Sequence, residues 1–537
     1  MLIRPALPVL VTLPLAVVVG LLVGAGQAPM GLWPLTLIGV AGFAWLMAGR
    51  GKRAAFGLGY LAGLAANTLT VSWISVLGVW VGVALIAFLS LWWGLLGVAL
   101  SRITRLRAWP LLAPAAWVAM EFAAGKVPFG GFSWARLGYT AVDQPLSGWY
   151  AWVGIAGVSY LVALIAHLLI LAVLKWVAAI KVAAANPSGA DQAAGVNRAA
   201  VDQATGVNRA AAVKAVAVAV VPVVVGGLLN LVPIATPTEH VTVAMVQPNV
   251  NRMEKGTGTY ARSVTNNALS ETIHAVAEAR AAGTRVSFVL WPENATDVDP
   301  ILDAETRGLV ETAAAIADIP IFVGAVTEGP VPDSRQTTSL WWDPETGPGE
   351  AYHKRDLVPF GEWIPFRDFL LPRMPILKQI GRQSIPGEEP GVITGPVEGF
   401  PDLQVGTIIC FELAYDDTSY DVVRHGAQVV VSQSNTNTYG GTFQVHQQLT
   451  INRVRAMELG REIAASTLNS VSSLIDAKGR VVDPTAEFTA DTRIFEMGLR
   501  DNVNLSVRVA PILSWAALIV TLGAVVGGSL RKPRDAE

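Results

Sequence analysis

Only one cysteine occurs in 537 residues: Cys410, within "GTIICFELAYDD". A lone cysteine excludes an intramolecular disulfide and any zinc or iron–sulfur site built from several thiolates. The six histidines show no HExxH or similar ligand spacing, so no metal is expected. No Walker or dinucleotide-type glycine-rich loop follows a strand pattern, so no nucleotide and no other cofactor is expected. Charge is also scarce, at 15% of residues against about 25% in an ordinary soluble domain. Lys and Arg (39) nearly balance Asp and Glu (41), which excludes the basic character a nucleic-acid partner requires.

The shortage of charge is uneven. Residues 1–235 are apolar blocks joined by short loops, and 238–505 have the mixed composition of a soluble domain. Residues 506–537 hold "APILSWAALIVTLGAVVGGSL" followed by a basic tail. Runs long enough to cross a bilayer lie near 7–25, 30–48, 56–76, 78–99, 109–124, 151–174, 213–234 and 509–529, about eight spans. Arg4 before the first run imitates a signal peptide, but the many later spans favour a retained helix. No cysteine lies near that run, so the chain is not expected to be a lipoprotein itself. The expected organisation is an N-terminal membrane domain over 1–235, a single soluble domain over 238–505, and a C-terminal span with its tail over 506–537.

Basic residues orient these spans. Arg50, Lys52 and Arg53 follow the second run, and Arg102, Arg105 and Arg107 follow the fourth. Lys181, Arg198, Arg209 and Lys214 separate the sixth from the seventh, and Arg531, Lys532 and Arg534 follow the last. The alternate loops carry almost none beyond Lys126 and Arg136. Both termini are therefore expected in the cytoplasm and the soluble domain outside a bacterial plasma membrane.

Two segments stand apart. "DQAAGVNRAAVDQATGVNRAA", within 186–212, is a polar tandem repeat with few apolar anchors, expected to be a mobile, dispensable cytoplasmic loop. "VPFGGFSWARLGYT" (127–140) reads as an interfacial aromatic belt, with a lipid-facing part of an active-site entrance as its alternative.

From His240 onward strands and helices alternate. "VTVAMVQPNV", "VSFVLWPENAT", "IPIFVGAVTEG" and "AQVVVSQSN" read as strands, and "NNALSETIHAVAEARAAG" has helical spacing ending at Gly283, which makes an α/β layered domain. Three positions at strand ends or in loops carry reactive groups: Glu293, Lys354 and Cys410. Each has a dull reading: a helix N-terminal carboxylate, a solvated lysine, a small buried hydrophobe. The alternative for Cys410 is a nucleophile at a strand end.

Their surroundings, "WPENA", "YHKRDLVPFGEWIP", "ICFE" and "RVRAMELGREIAASTLNSVSSLID", resemble the nitrilase (carbon–nitrogen hydrolase) superfamily. With spans on both sides, the chain resembles more closely its membrane-embedded apolipoprotein N-acyltransferase family. The resemblance covers nearly the whole chain. It implies an αββα-sandwich domain with Glu293, Lys354 and Cys410 as the catalytic triad and Glu362 and Glu412 as supports. It also implies Phe411, Asn435, Tyr439 and Trp291 as oxyanion or pocket candidates. The implied reaction moves an acyl chain from a membrane phospholipid, through a thioester on Cys410, to the α-amine of a diacylglyceryl apolipoprotein. Membrane lipid and that apolipoprotein are the expected partners, and the enzyme is expected to act as a monomer.

Those roles are chemically coherent. A thiol with a pKa of about 8.5 is only slightly ionised at neutral pH, so it needs a base and a nearby cation. Glu293 supplies the first if burial raises its pKa, and Lys354 the second, facing the oxyanion with a backbone N–H after Cys410. Glu362 and Glu412 would hold Lys354 in place. The chain departs from the family at Phe411, where relatives often have Tyr, and at Thr436 and Thr438, where many have Asp and Trp. "RQTTSLWW" lacks the usual Asn-Ser pair. These departures bear on the acyl pocket and leave the triad intact. Rival readings are a membrane-anchored amidase, with water as acceptor, and a transporter with a regulatory outer domain. Against the transporter, Glu121 is the clearest acidic residue at a span end and the other spans are nearly clean.

Overall fold

A computed structural model describes residues 8–184, 198–250 and 261–531. Arg4, Lys532, Arg534 and the repeat up to residue 197 lie outside the described residues. The chain forms two units, one from 1–124, 135–232 and 509–537, the other from 125–134 and 233–508.

The first unit is helical. Its helices are α1 (Val9–Gly24), α2 (Trp33–Met47), α3 (Lys52–Val71), α4 (Val79–Ile103), α5 (Trp109–Ala124), α6 (Tyr150–Ala184) and α7 (Arg198–Asn230), and the last helix of the chain (Leu505–Leu530) contributes most of its length. These coincide with the apolar runs, yet among the described residues only five stretches are long and apolar enough to cross a membrane: Lys52–Leu77, Val79–Ile103, Pro145–Ala184, Val201–Asn230 and Leu505–Leu530. Helices α1, α2 and α5 have 16, 15 and 16 residues, short of the roughly 20 a perpendicular span needs. Small residues let helices approach closely. A Cβ on Gly59 would lie 2.5 Å from the Trp93 carbonyl oxygen, and one on Gly63 would lie 2.6 Å from Trp93 Cβ. Glycine at both places allows α3 to pack on α4. The acidic residue at a span end is also accounted for. Buried Glu121 accepts a 2.7 Å hydrogen bond from the Leu137 N–H and faces Arg136 Nε at 3.6 Å, a neutralised pair rather than a free mid-membrane charge.

The expected loop at 186–212 is overturned over its described part. Residues 198–212 are the opening of α7, a continuous 33-residue helix. Alanine-rich sequence has high helix propensity, and α6 supplies what packs against it. Lys175 Nζ donates to Asn208 Oδ1 at 3.4 Å, the Arg209 guanidinium lies 5.9 Å from the Trp176 ring centre, and Ala212 and Ala215 pack on Ala172.

The second unit is a two-sheet sandwich. Strands β1 (His240–Gln247), β2 (Phe288–Leu290), β3 (Ile321–Glu328), β4 (Ser334–Asp343), β5 (Gly347–His353) and β6 (Gln383–Ser384) join β13 (Asp491–Gly498) in one sheet, ordered β13-β1-β2-β3-β4-β5 with β6 beside β4. The other runs β12-β11-β10-β9-β8-β7, from β7 (Val392–Thr394), β8 (Gln404–Ile409), β9 (Val429–Ser434), β10 (Ile463–Thr467), β11 (Ser473–Ile475) and β12 (Val481–Val482). Helices α8 (Ser263–Ala282) and α9 (Ala304–Ala317) cover the first sheet; α11 (Asp416–Arg424) and α12 (Phe443–Leu459) pack on the second, and a short α10 (Arg367–Leu370) lies in the loop after β5.

Period-two alternation explains this layering. Val241, Val243 and Met245 of β1 point between the sheets, where they meet Val405, Ile409, Val429 and Val431. Ala244 and Val246 of the same strand point the other way, onto Ala268 and Ala275 of α8. Helix α8 stops where expected: Gly283 adopts φ 66°, and its N–H caps the Ala279 and Arg280 carbonyls. The central pairs β1–β2–β3 and β8–β9–β10 are parallel. Loops leaving the carboxyl ends of such strands are where α/β folds place ligands.

Candidate active site

Glu293 follows β2, Lys354 follows β5, Cys410 follows β8 and Asn435 follows β9. Spread over more than a hundred residues of chain, the first three meet. Lys354 Nζ lies 3.0 Å from Glu293 Oε1 and 2.9 Å from Glu362 Oε1, and the Cys410 thiol is close enough for the charges of all three to act on it. The other oxygen, Glu293 Oε2, accepts the Asn435 backbone N–H at 2.7 Å. Glu293 and Lys354 are 4% and 2% exposed, so their attraction is little screened by water.

Burial sets the proton equilibria. It raises the Glu293 pKa above the ordinary carboxylate value, against the pull of Lys354. Burial works against the Lys354 charge too, but Glu293, Glu362 and Cys410 outweigh it and hold the ammonium well above its usual pKa. Cys410 is pushed up by burial and by the Glu293 charge, with Lys354 opposing. At neutral pH the resting site therefore holds a protonated thiol beside an ionised lysine, not a standing thiolate.

The two expected supports have different jobs. Glu362 accepts Lys354 Nζ with Oε1 and the Val358 N–H with Oε2 at 2.7 Å. Glu412 makes no bond to Lys354 Nζ. Fully buried, its Oε1 accepts the Tyr352 hydroxyl at 2.6 Å and the Arg355 N–H at 2.7 Å, and its Oε2 accepts the Ile409 N–H at 2.7 Å. It thus ties the residues on either side of Lys354 to the residue before Cys410. Burial pushes Glu412 up to about 7, aided by the Asp356 charge and opposed by the Tyr352 and Ile409 donors.

Cys410 has φ +51° and opens a 3₁₀ turn, Cys410–Ala414. A non-glycine residue held there costs about 1–3 kcal/mol and persists where its surroundings impose it. The N–H groups opening such a turn have no acceptor within it, which leaves the Phe411 region rich in donors. Phe411 is buried under an aromatic layer that belongs to the same unit although it comes from residues 125–134. Trp134 stacks on it at 5.8 Å and 18°, Phe132 lies at 5.8 Å, and Tyr415 meets it edge-on at 5.3 Å. Trp134 Nε1 donates to Gln447 Oε1 at 2.7 Å. The belt expected over 127–140 is therefore packed against the residue beside the cysteine, at least through Trp134.

The remaining candidates divide. Tyr439, in the turn Asn437–Tyr439, is near enough for the Cys410 charge to join burial in raising its hydroxyl pKa. Asn435 contributes its backbone, while its side-chain oxygen accepts the Asn437 N–H at 3.2 Å. Trp291 is not brought to the site. It is fully buried against α8, its indole N–H donating to Thr272 Oγ1 at 2.9 Å. Thr436 is buried and bonded to Ser470. Gln433, unnoticed in the sequence, donates to the Trp291 carbonyl at 2.7 Å and accepts from Ser339 and Thr407, pinning the two sheets behind Glu293. A glutamine inside a strand reading "VVVSQSN" was the available signal.

Residues 242–501 match the carbon–nitrogen hydrolase family, and that match gives the class of the second unit. Residues 19–168 match the apolipoprotein N-acyltransferase N-terminal domain. The chain belongs to the apolipoprotein N-acyltransferase family, the membrane-embedded branch of the carbon–nitrogen hydrolases, and is an acyltransferase. An apolipoprotein N-acyltransferase of Mycolicibacterium smegmatis is 31% identical over 53% of this chain, and this chain spans about half of it, 47%. One from Vibrio parahaemolyticus is 24% identical over 92% of this chain and 93% of its own length. Among solved structures, a mutant of the Nesterenkonia AN1 amidase, from the nitrilase superfamily, covers 51% of this chain and 96% of its own at 15% identity and TM-score 0.36.

Proposed function

We propose that this enzyme acylates the N-terminal α-amine of diacylglyceryl-cysteine apolipoproteins, taking the acyl chain from a membrane phospholipid through a thioester on Cys410. The observation that carries the reading is the setting of Glu293: one carboxylate holds the Lys354 ammonium and the Asn435 N–H, with the Cys410 thiol within reach of its charge.

In the first half, Glu293 takes the thiol proton as sulfur attacks the phospholipid ester carbonyl. Lys354 and the Phe411 N–H stabilise the oxyanion. Collapse breaks the ester bond, and the departing alkoxide takes the proton from Glu293 to leave as a lysophospholipid. In the second half, Glu293 removes a proton from the attacking amine, the thioester C–S bond breaks, and the thiolate regains that proton. The product is an amide, and the site returns to its starting state. Because the raised Cys410 pKa disfavours a free thiolate, proton transfer and attack run together. Glu362 keeps Lys354 charged and aimed, and Glu412 holds the two loops in register. The domain works outside the cytoplasmic membrane, as a monomer with both termini inside.

Purified enzyme given phospholipid and no acceptor should gain the mass of one fatty acyl group at Cys410, removable by neutral hydroxylamine. The adduct should discharge as an amide when a diacylglyceryl peptide is added, and Cys410→Ala should form none. Rapid hydrolysis without acceptor would convert the reading to a membrane-anchored amidase. Full activity in Cys410→Ala would end it.

A further inference from the structure

Arg455, on α12, is fully buried and reaches the turn that carries Cys410. Its Nε donates to the Leu413 carbonyl at 2.8 Å, Nη2 to Asp416 Oδ1 at 2.8 Å and Nη1 to Glu458 Oε2 at 2.6 Å. Glu458 is itself fixed: its Oε1 accepts the Tyr420 hydroxyl at 2.7 Å and its carbonyl accepts Ser506 Oγ at 2.6 Å. The Tyr420 ring centre lies 5.6 Å from the guanidinium.

Packing alone gives no reason for a guanidinium here. Burying an ion costs several kcal/mol before its partners repay it, and well-packed apolar side chains of similar volume often serve stability as well or better. An apolar residue cannot, however, hold a carbonyl and a carboxylate three residues apart at set distances. Those acceptors end the Cys410–Ala414 turn and open α11. On the other side of the cysteine, Glu412 grips the Ile409 N–H. The strained Cys410 backbone, φ +51°, is thus clamped before and after, and this is the surrounding constraint such a conformation needs.

We propose that Arg455 is a positioning residue for the nucleophile: anchored by Glu458, it holds the Leu413–Asp416 end of the turn so that the Cys410 thiol faces Glu293. The proposal rests on the reading of Cys410 as nucleophile, and its test separates the two. Since Cys410 is the sole cysteine, iodoacetamide consumption by the full-length enzyme reports that thiol alone, whether or not acyl transfer occurs. Arg455→Lys keeps the charge but cannot span three acceptors. It should slow alkylation and lower kcat by about 10- to 100-fold, the scale of an ångström-sized misplacement, with KM little changed. The alkylation rate should also lose the acid-side dependence on pH that Glu293 imposes when it takes the thiol proton. Arg461→Lys is the matched control. Arg461 is equally buried but bonds the Ala427 carbonyl and Asn502, so its variant should lower Tm and leave both rates alone. If Arg455→Lys does not fold, Asp416→Asn, which weakens one arm of the clamp, is measured the same way and should slow both rates. Wild-type alkylation, pH profile and kcat in a folded Arg455→Lys, or in Asp416→Asn, would overturn the proposal. Activity in Cys410→Ala would instead remove the nucleophile reading, whatever the alkylation rates.

Discussion

The Lys354 ammonium lies 3.0 Å from Glu293 Oε1, and both side chains are almost wholly buried. The site holds a compact cation between two carboxylates, and a planar guanidinium would place its charge elsewhere. Lys354→Arg should therefore reduce kcat about 100-fold or more, the loss seen when one oxyanion donor is removed. Single-turnover acyl transfer checks this. Near-normal turnover would demote Lys354 to a structural partner of Glu293 and Glu362.

Glu293 sets the acid side of the pH profile. Burial raises its pKa against the pull of Lys354, so the carboxylate needed as base is lost at higher pH than for a free glutamate. Activity should fall as pH drops through a value above 4.5, the ordinary carboxyl pKa. Glu293→Gln should abolish that limb and cost about 10²- to 10⁴-fold in kcat. A kcat/KM profile unchanged in the variant would count against Glu293 as the base.

Glu412→Ala should destabilise the domain by on the order of 3 kcal/mol, because the Ile409, Arg355 and Tyr352 donors are left buried and unpaired. The deficit should depend on pH. The folded-state pKa is raised from 4.5 to about 7, so between those values the folded chain holds a proton the unfolded chain has lost. The stabilisation this gives is complete below pH 4.5 and lost as pH rises through about 7. The gap between wild type and variant should thus be larger at pH 5 than at pH 8, as read by denaturant titration. A gap that widens with pH would mean the donors, not burial, control Glu412.

Trp134→Ala removes the ring stacked on Phe411 and the bond to Gln447. Loss of a buried tryptophan costs about 3–5 kcal/mol locally, and Phe411 would no longer be held beside the cysteine. Thermal unfolding should shift downward and kcat/KM for the acyl donor should fall, while Trp134→Phe restores part of both. An Ala variant with normal kcat/KM would leave the layer a purely structural one.

Charge placement predicts the sidedness. A reporter active only in the cytoplasm should work when fused after Lys181 or at the C-terminus and fail when fused after Thr238. The reverse pattern would overturn the orientation and the exported substrate together.

How much of this was legible in the residues follows from what each signal depends on. Strand alternation and the helix ending at Gly283 are local, and they appear in β1, β3, β9 and α8 as read. Glu293, Lys354 and Cys410 stood out only because the motifs around them resemble one family, since nothing in three residues spread over more than a hundred positions says that they come together. The repeat after residue 197 misled because polar composition argues for a loop, whereas its alanines continue α7 once α6 packs beside them. Trp291 misled for the opposite reason: it lies next to a reactive residue in sequence, but alternation turns it to the other face of the sheet.

By itself, then, the sequence determined which segments are apolar enough to leave water, which runs become strands or helices, and which reactive groups exist, because those are properties of neighbours along the chain. Tertiary structure alone decided that Glu412 grips backbone rather than Lys354, that Trp134 covers Phe411, and that Arg455 braces the cysteine turn. Each of these is a hydrogen bond or ring contact between distant segments, directed to a single atom or face. Its geometry exists only once two sheets and their helices have closed around it.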